Sequence, residues 1–474
     1  MKKYVLSLLL LVCTHSASGA DLYTVTHFGA KGDGHTDDTA AINRAIATAS
    51  TEGGGVVLFP KGEYLSRSIH LESDITLRME EGAVIRAASV TATAGYDAPE
   101  PNPSNYQDFG HSHWQNSLMW GIGLTNVRIE GKGMIDGTGV LSRGEPSKGY
   151  TGPPIANKAL ALKNCKNVEI LGVAFKSCGH FAMLLTGVDN LLIDGVVVDS
   201  NRDGIDIDCC QDVIVRNCRV NTVNDDAIVL KCSYALGWAK PTKDVVIENC
   251  HVTGFDVGSL LDGTRTTTTL KAPDGDGPTG RIKLGTESNG GFRNITIRDC
   301  TFEHCRGLAL ETVDGARMEN IRVSRIRMND IFNSPIYIRL GDRMRGPSTL
   351  GPSTVRNISI RDVTATNADC RYACLIVGME GNPVRDVTLS DVSIQYKGGL
   401  TLSDYEEQRG TNPFFFRKGG NYPEPSAHGI QPAWGLSAAD AEGITLRRVT
   451  FSLIAPDERP MIYANRVRRL KIKD

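Results

Sequence analysis

No charge of one sign dominates this sequence: its 474 residues carry 52 Lys and Arg against 54 Asp and Glu, a formal net charge of -2. A polybasic field supplies most nonspecific affinity for nucleic acid and draws proteins to anionic membranes. Neither partner is expected here. Beyond the first twenty residues no run approaches the roughly 20 apolar residues that a spanning helix needs, so no membrane insertion is expected. Histidines spaced as metal-ligand pairs are also missing, which argues against a required transition metal and leaves no cofactor to expect. Calcium as a structural ion stays open.

An even number of usable cysteines is lacking too. The first residues, MKKYVLSLLLLVCTHSASGA, place Lys2 and Lys3 before an apolar run from Tyr4 to Cys13 and end on Ser18-Gly19-Ala20. That is the pattern of a secretory signal peptide, cut before Asp21. The expected product, residues 21–474, is one exported domain, periplasmic or extracellular, and a monomer. Of the twelve cysteines, Cys13 leaves with the signal, so at least one of the other eleven is unpaired. Cys165, Cys218 and Cys250 each follow Asn, and Cys300 follows Asp. Cysteines repeated in one local setting suit small core positions better than a disulfide frame. Cys370 and Cys374 are the pair expected to be bridged.

What the chain has in abundance is repetition. NVRIEGKGMIDG from Asn126, NVEILGVAFKSC from Asn167, NLLIDGVVVDSN from Asn190, DVIVRNCRVNTV from Asp212, DVVIENCHVTGF from Asp244 and NITIRDCTFEHC from Asn294 share one plan. It is Asn or Asp, an alternating β-branched strand, a polar break and a second alternating strand. The plan returns from Asn320, Asn357, Asp386 and Gly443. Short period-2 strands cannot bury an apolar face alone but can when stacked on a neighbour. An all-β fold is expected, a right-handed parallel β-helix. A helix from Thr39 to Ser50, preceded by Asp37-Asp38, is expected to cap its open end. Long irregular stretches at about 97–114, 138–156, 260–280 and 399–434 are expected to line one face as a groove.

A third strand type closes each coil and can be aligned by its apolar positions: GIDID from Gly204, AIVLK from Ala227, RIKLG from Arg281, GLALE from Gly307 and PIYIR from Pro335. Ile205, Ile228, Ile282, Leu308 and Ile336 then face inward. In this register Asp203 lies one coil from Asp226, about 4.8 Å away, with Asp225 beside them. The outward column Asp208, Lys231, Gly285, Glu311, Arg339 alternates in sign where it is charged, which reads as structural cross-strand pairing. The three acids have no such compensation within their two coils, and like charges at this range should push at least one pKa upward. Carboxylates with pKa values driven apart supply a general acid and a general base. Any one of these aspartates alone reads better as a turn residue; three converging on adjacent coils do not. Arg281 and Lys283 share the outward parity, as a solvated pair or as a clamp for a substrate carboxylate.

These motifs resemble the polygalacturonase-like glycoside hydrolases of family 28, a bacterial branch, over nearly the whole chain after Ala20. NRDGIDID is similar to the family's Asn-Thr-Asp-Gly-Ile-Asp motif, NDDAIVLK to its paired aspartates and GRIKLGTESNGG to its Arg-Ile-Lys motif. The resemblance implies an inverting hydrolase of galacturonate-containing pectic polysaccharide or oligosaccharide. Asp225 would be the general acid, Asp203 and Asp226 would hold the attacking water, and Arg281 and Lys283 would grip a galacturonate carboxylate. Asn201 belongs to the same matched motif, on the substrate-binding side. Two departures stand out. Arg202 replaces the usual threonine, and the Gly-His-Gly segment is replaced by VTGFDVGSLLDGT, with Phe255 and Asp256 in its place. His180, one coil before Asp203, is the candidate to take over that contact. Loop residues Trp114, Tyr422, His428 and Trp434 are candidates to stack on sugar rings and to favour exo action. A calcium-dependent pectate-lyase-like β-elimination, or a glycan-binding β-helix without catalysis, are the competing readings of the same solenoid.

Overall fold

The computed structural model describes residues 21–102, 106–144, 150–411 and 422–474. The leader read in residues 1–20 lies outside them. Among the described residues thirty-four strands stack in parallel register, each pairing with a strand of a neighbouring coil. Phe181–Thr186, Asp189–Asp194 and Val197–Ser200 make one coil, and Asp203–Asp208, Gln211–Arg216 and Arg219–Thr222 make the next. Met183 pairs with Ile205, Leu191 with Val213 and Val198 with Val220. Parallel neighbours need a crossover of a dozen or more residues, and in this chain the rest of the coil is that crossover.

The alternation read from the sequence decides what goes inside. Ile205 pairs with Ile228, Ile228 with Ile282 and Leu308 with Ile336, and all five are buried in one continuous core. Cys165, Cys218, Cys250 and Cys300 are buried there as well. All eleven cysteines of the described residues are free thiols, which corrects the expected Cys370–Cys374 bridge. Cys374 opens the strand Cys374–Val377 with its thiol in the core against the Tyr396 hydroxyl, whereas Cys370 lies half-buried outside that strand.

The Asn or Asp that heads each repeat has a geometric reason. Asn126, Asn167 and Asn190 adopt φ of 56°, 57° and 54°. Among residues with a Cβ, Asn and Asp enter this left-handed region most readily. Their amides then stack from coil to coil: Asn190 donates to Asn167 and Asn167 to Asn126, each at 2.9 Å.

The expected helix runs Thr39–Thr51 and buries Ala41, Ile42, Ala45, Ile46 and Ala49 against the first coils. Asp38 does not cap it; its carboxylate accepts from the Lys31 and Gly32 amides at 2.7 and 3.0 Å. Three of the four interruptions carry a short helix, Phe109–Ser112, Ser259–Asp262 and Leu402–Thr411. All four send residues into one cleft.

Candidate active site

The cleft holds about 370 Å³ and opens over the strands Asp203–Asp208, Ile228–Cys232 and Ile282–Ser288. Strand register sets its floor. Because Ile205 pairs with Ile228, Asp203 and Asp226 occupy equivalent places on adjacent coils, and the Gly204 amide donates to the Asp226 carbonyl at 3.0 Å. One oxygen from each of Asp203, Asp225 and Asp226 lies within 4.8 Å of the others. The structure thus brings together the three acids that the sequence singles out.

The expectation that they lack compensation is corrected. Asp225 pairs with Arg202. Asp226 accepts from Arg281 Nε at 2.8 Å and lies 3.5 Å from Lys283 Nζ. Asp203 lies 3.2 Å from Lys231 Nζ. Lys231 also corrects the structural column. It is paired in register with Asp208, yet its ammonium reaches diagonally to Asp206 at 2.6 Å. Burial explains the choice: a fully buried ammonium needs carboxylates on the cleft side, where Asp203 and Asp206 already converge. Asp208 instead accepts from the Ser233 amide and hydroxyl.

Environment separates the acids. Burial, and then the charge of Asp225, raise the Asp203 pKa well above the ordinary carboxylate range, although Lys231 opposes them. Burial would raise Asp226 too, but Lys283 and Arg281 outweigh it and hold it at about 2. The pKa values of these two neighbouring carboxyls are thus driven apart, Asp203 upward and Asp226 downward.

Four loops supply the walls. The first contributes Asp108 and His111, the second Arg143, the third Pro273, Asp274 and Thr279, the fourth Tyr422 and Glu424. His111 Nδ1 meets Asp108 at 2.7 Å and its Nε2 touches Lys231 and lies 3.4 Å from Asp206. Burial disfavours its charge, yet Asp108 lifts its pKa to about 10. His111, Asp203 and Asp206 approach as a cation's ligands would; the Lys231 ammonium already serves as the cation among them.

Arg281 and Lys283 are not a solvated pair. Both are about 1% exposed, because Glu424 folds over them. The Arg281 guanidinium spans both oxygens of Glu424, with Nη1 to Oε2 at 3.1 Å, while its Nε holds Asp226. Lys283 lies 3.5 Å from both Asp226 and Glu311. Burial and the nearby Glu424 push the Glu311 pKa to about 7 even with Lys283 at hand.

His180 reaches the cleft, stacked on Phe181 with ring centroids 4.3 Å apart, and its Nδ1 has no hydrogen-bond partner. Burial and the neighbouring His111 lower its pKa to about 2, so it is neutral. Asn201 does not line the cleft: it sits exposed at the rim, accepting from Asn224, which does. Of the four aromatic candidates only Tyr422 is placed for sugar, half exposed with its hydroxyl 3.3 Å from Lys283 Nζ. Trp114 is fully buried and donates to Thr186, His428 is buried against Tyr337, and Trp434 packs on the core. The segment replacing Gly-His-Gly anchors a loop: the Phe255 amide donates to Asn221 and Asp256 accepts from Thr268 and Thr269.

Sequence reasoning missed Lys231, His111, Glu287, Glu311 and Glu424. Lys231 and Glu311 were visible as charges within the apolar strands AIVLK and GLALE; Glu424 lies in the segment Tyr422-Pro423-Glu424-Pro425, with nothing in the sequence to aim it at Arg281.

Residues 242–409 match the description Glycosyl hydrolases family 28, residues 124–272 match Right handed beta helix region, and residues 23–170 match Rhamnogalacturonase A/epimerase, pectate lyase-like. A probable polygalacturonase of Vitis vinifera is 25% identical over 80% of this chain and 74% of its own length. An exopolygalacturonase of Zea mays is 24% identical over 79% and 84%. The solved family 28 exopolygalacturonase of Yersinia enterocolitica superposes with a TM-score of 0.66 at 18% identity, covering 95% of this chain and 78% of that one. The right-handed parallel β-helix read from the repeats is thereby established.

Proposed function

We propose that this chain, a polygalacturonase-like glycoside hydrolase of family 28, cleaves its pectic substrate in one displacement, with Asp225 as general acid and with Asp203 and Asp226 holding the attacking water. The observation that carries this assignment is the contrast within the triad. Asp225 has 23% of its side chain exposed to the cleft, against 4% for Asp203 and 6% for Asp226. An acid must touch the leaving oxygen of a bound chain, so the most open carboxyl suits that task. Asp226, held ionised by Lys283 and Arg281, suits the base. The Asp203 carboxyl, its pKa raised by burial and by the charge of Asp225, lies within 4.8 Å of the Asp225 oxygen and is the proton-holding neighbour of the acid.

Most inverting pairs stand about 6.5 to 9.5 Å apart, leaving room for water between them. Here the nearest oxygens are inside 4.8 Å, closer than that range, so this reading puts the attacking water beside Asp203 and Asp226 rather than in a gap between two separated carboxyls. Hydrolysis needs no further component: a proton from Asp225 goes to the leaving oxygen as the glycosidic C–O bond breaks, water adds at the anomeric carbon from the opposite face, and its proton passes to Asp226. The substrate is a galacturonate-containing pectic chain, with short oligosaccharides attacked from an end because residues of four loops line the cleft. Export to a periplasm or the cell exterior fits a polymer outside the cell, and the expected monomer fits a cleft built from one chain.

The test is a product assay with wild type and Asp225→Asn on oligogalacturonides and rhamnogalacturonan oligosaccharides, with NMR of the first-formed anomer. Saturated, inverted products are expected, with kcat reduced in the variant by about 10²- to 10⁴-fold. Retained configuration, unsaturated ends, or a fully active Asp225→Asn would overturn the assignment.

A further inference from the structure

We infer that Glu424 switches off the carboxylate clamp of Arg281 and Lys283, so that the sugar bound on that side of the acids is neutral, and that the uronate is held on the opposite side by Arg143. The inference rests on the hydrolase reading above and adds the substrate class: a chain in which galacturonate alternates with an uncharged sugar.

The allocation of charge on the C-terminal side of the triad carries the argument. Three cations converge there, Arg281, Lys283 and Arg306, and each is already matched. Arg306 is forked onto Asp274 at 2.6 and 2.8 Å. Lys283 sits between Asp226 and Glu311. Arg281 has Asp226 on Nε and both Glu424 oxygens on its two remaining nitrogens. A guanidinium offers five N–H donors in one fixed fork, and the edge that would receive a uronate is the edge Glu424 occupies. Glu424 also stands 3.5 Å from Arg306 and 4.0 Å from Lys283, so it caps all three. A sugar carboxylate brought here would meet four protein carboxylates on three cations, with the fork of Arg281 already taken by Glu424 and like charge close by. A neutral sugar pays no such penalty, and Tyr422 beside Lys283 offers it an exposed ring.

The N-terminal side is different. Arg143 lines the same cleft, is exposed, and among the described residues pairs with no carboxylate. It follows the strand Met134–Asp136, which stacks two coils before Val197–Ser200, whereas Arg281 leads the strand that stacks two coils after Asp203–Asp208. The available cation and the neutralised cluster therefore flank the acids along the axis of the solenoid.

The experiment measures affinity calorimetrically in the Asp225→Asn background, so that neither probe is consumed. The probes are an α-1,4-linked galacturonate hexamer and a hexamer alternating galacturonate and rhamnose. The alternating hexamer is expected to bind at least about tenfold tighter. Adding Glu424→Gln keeps the shape of the side chain and removes its charge. It should strengthen binding of the galacturonate hexamer by about tenfold and leave the alternating one nearly unchanged. Equal or tighter binding of the galacturonate hexamer with Glu424 in place overturns the inference, and this arm needs no change at Glu424. A gap that Glu424→Gln does not narrow overturns it as well. Failure of the hydrolase reading shows separately, as no product from wild type on either hexamer, while the affinity gap is judged independently.

Discussion

Lys283 shows how one buried side chain sets the chemistry of its neighbours. It stands between Asp226 and Glu311, and it is the largest influence offsetting the burial that would otherwise raise the Asp226 pKa. The sign of the linkage is that of a depressed carboxylate: ionised Asp226 contributes stability that is complete above the unfolded value near 3.8 and is lost as pH falls through about 2. Lys283→Met leaves buried Glu311 without its cation and Asp226 with Arg281 alone. Breaking a buried pair this way costs about 3–5 kcal/mol, so the denaturant midpoint should fall, and fall more at pH 7 than at pH 4, where the freed carboxyls take up protons. The acidic limb of kcat/KM should also move to higher pH, since the base then protonates sooner. An unmoved limb would remove Asp226 from the role of base. At this scale Asp203, Asp225, Asp226, Arg281 and Lys283 were legible because residue type and strand parity suffice to place them. Glu424 was not, because it meets Arg281 across 143 residues of chain through a loop with no periodicity to read.

Between residue and molecule stands the coil, and its corners explain what the repeats repeat. Each Asn at a corner does two things at once: it occupies the left-handed region and it passes a hydrogen bond to the Asn of the neighbouring coil. The sequence displayed the recurrence without its cause, since alternation reports which face a side chain takes and says nothing of φ. The misreading of Lys231 has a related origin. Cross-strand pairing favours the residue directly opposite when both are at a wet surface; once loops bury the face, the cation goes where the most carboxylate oxygens are. For the corner, substitution separates the two contributions. Asn190→Ala forfeits the amide bond and forces a Cβ-bearing residue without a local hydrogen bond into the left-handed region, a conformation costing about 1–2 kcal/mol. Asn190→Gly forfeits only the amide bond. Calorimetry should give a lower Tm for Ala than for Gly, and the reverse order would mean that the ladder, not the backbone, selects the residue.

Over the whole molecule, stability comes from stacking alone. Chains too small to build a core commonly rely on disulfides. This one carries a continuous apolar core from Tyr23 to Phe451, and each coil is closed by hydrogen bonds to the coils on either side. In such a solenoid the stability of a coil is set by its own packing and by its two interfaces, and a crosslink between distant coils would constrain little that stacking leaves free. Its cysteines behave accordingly as small apolar residues: ten of the eleven are buried, and Cys370 is the one with intermediate exposure. Burial also raises the thiol pKa of Cys178, Cys210, Cys232 and Cys305, which keeps the reactive thiolate scarce. In the chain from residue 21 onward, thiol titration should therefore find at most one rapidly reacting group when folded and eleven after denaturation, and a reductant should leave Tm unchanged. Fewer than eleven thiols in denaturant, with a Tm that falls on reduction, would show a disulfide and would return Cys370 and Cys374 as the first pair to map by peptide mass.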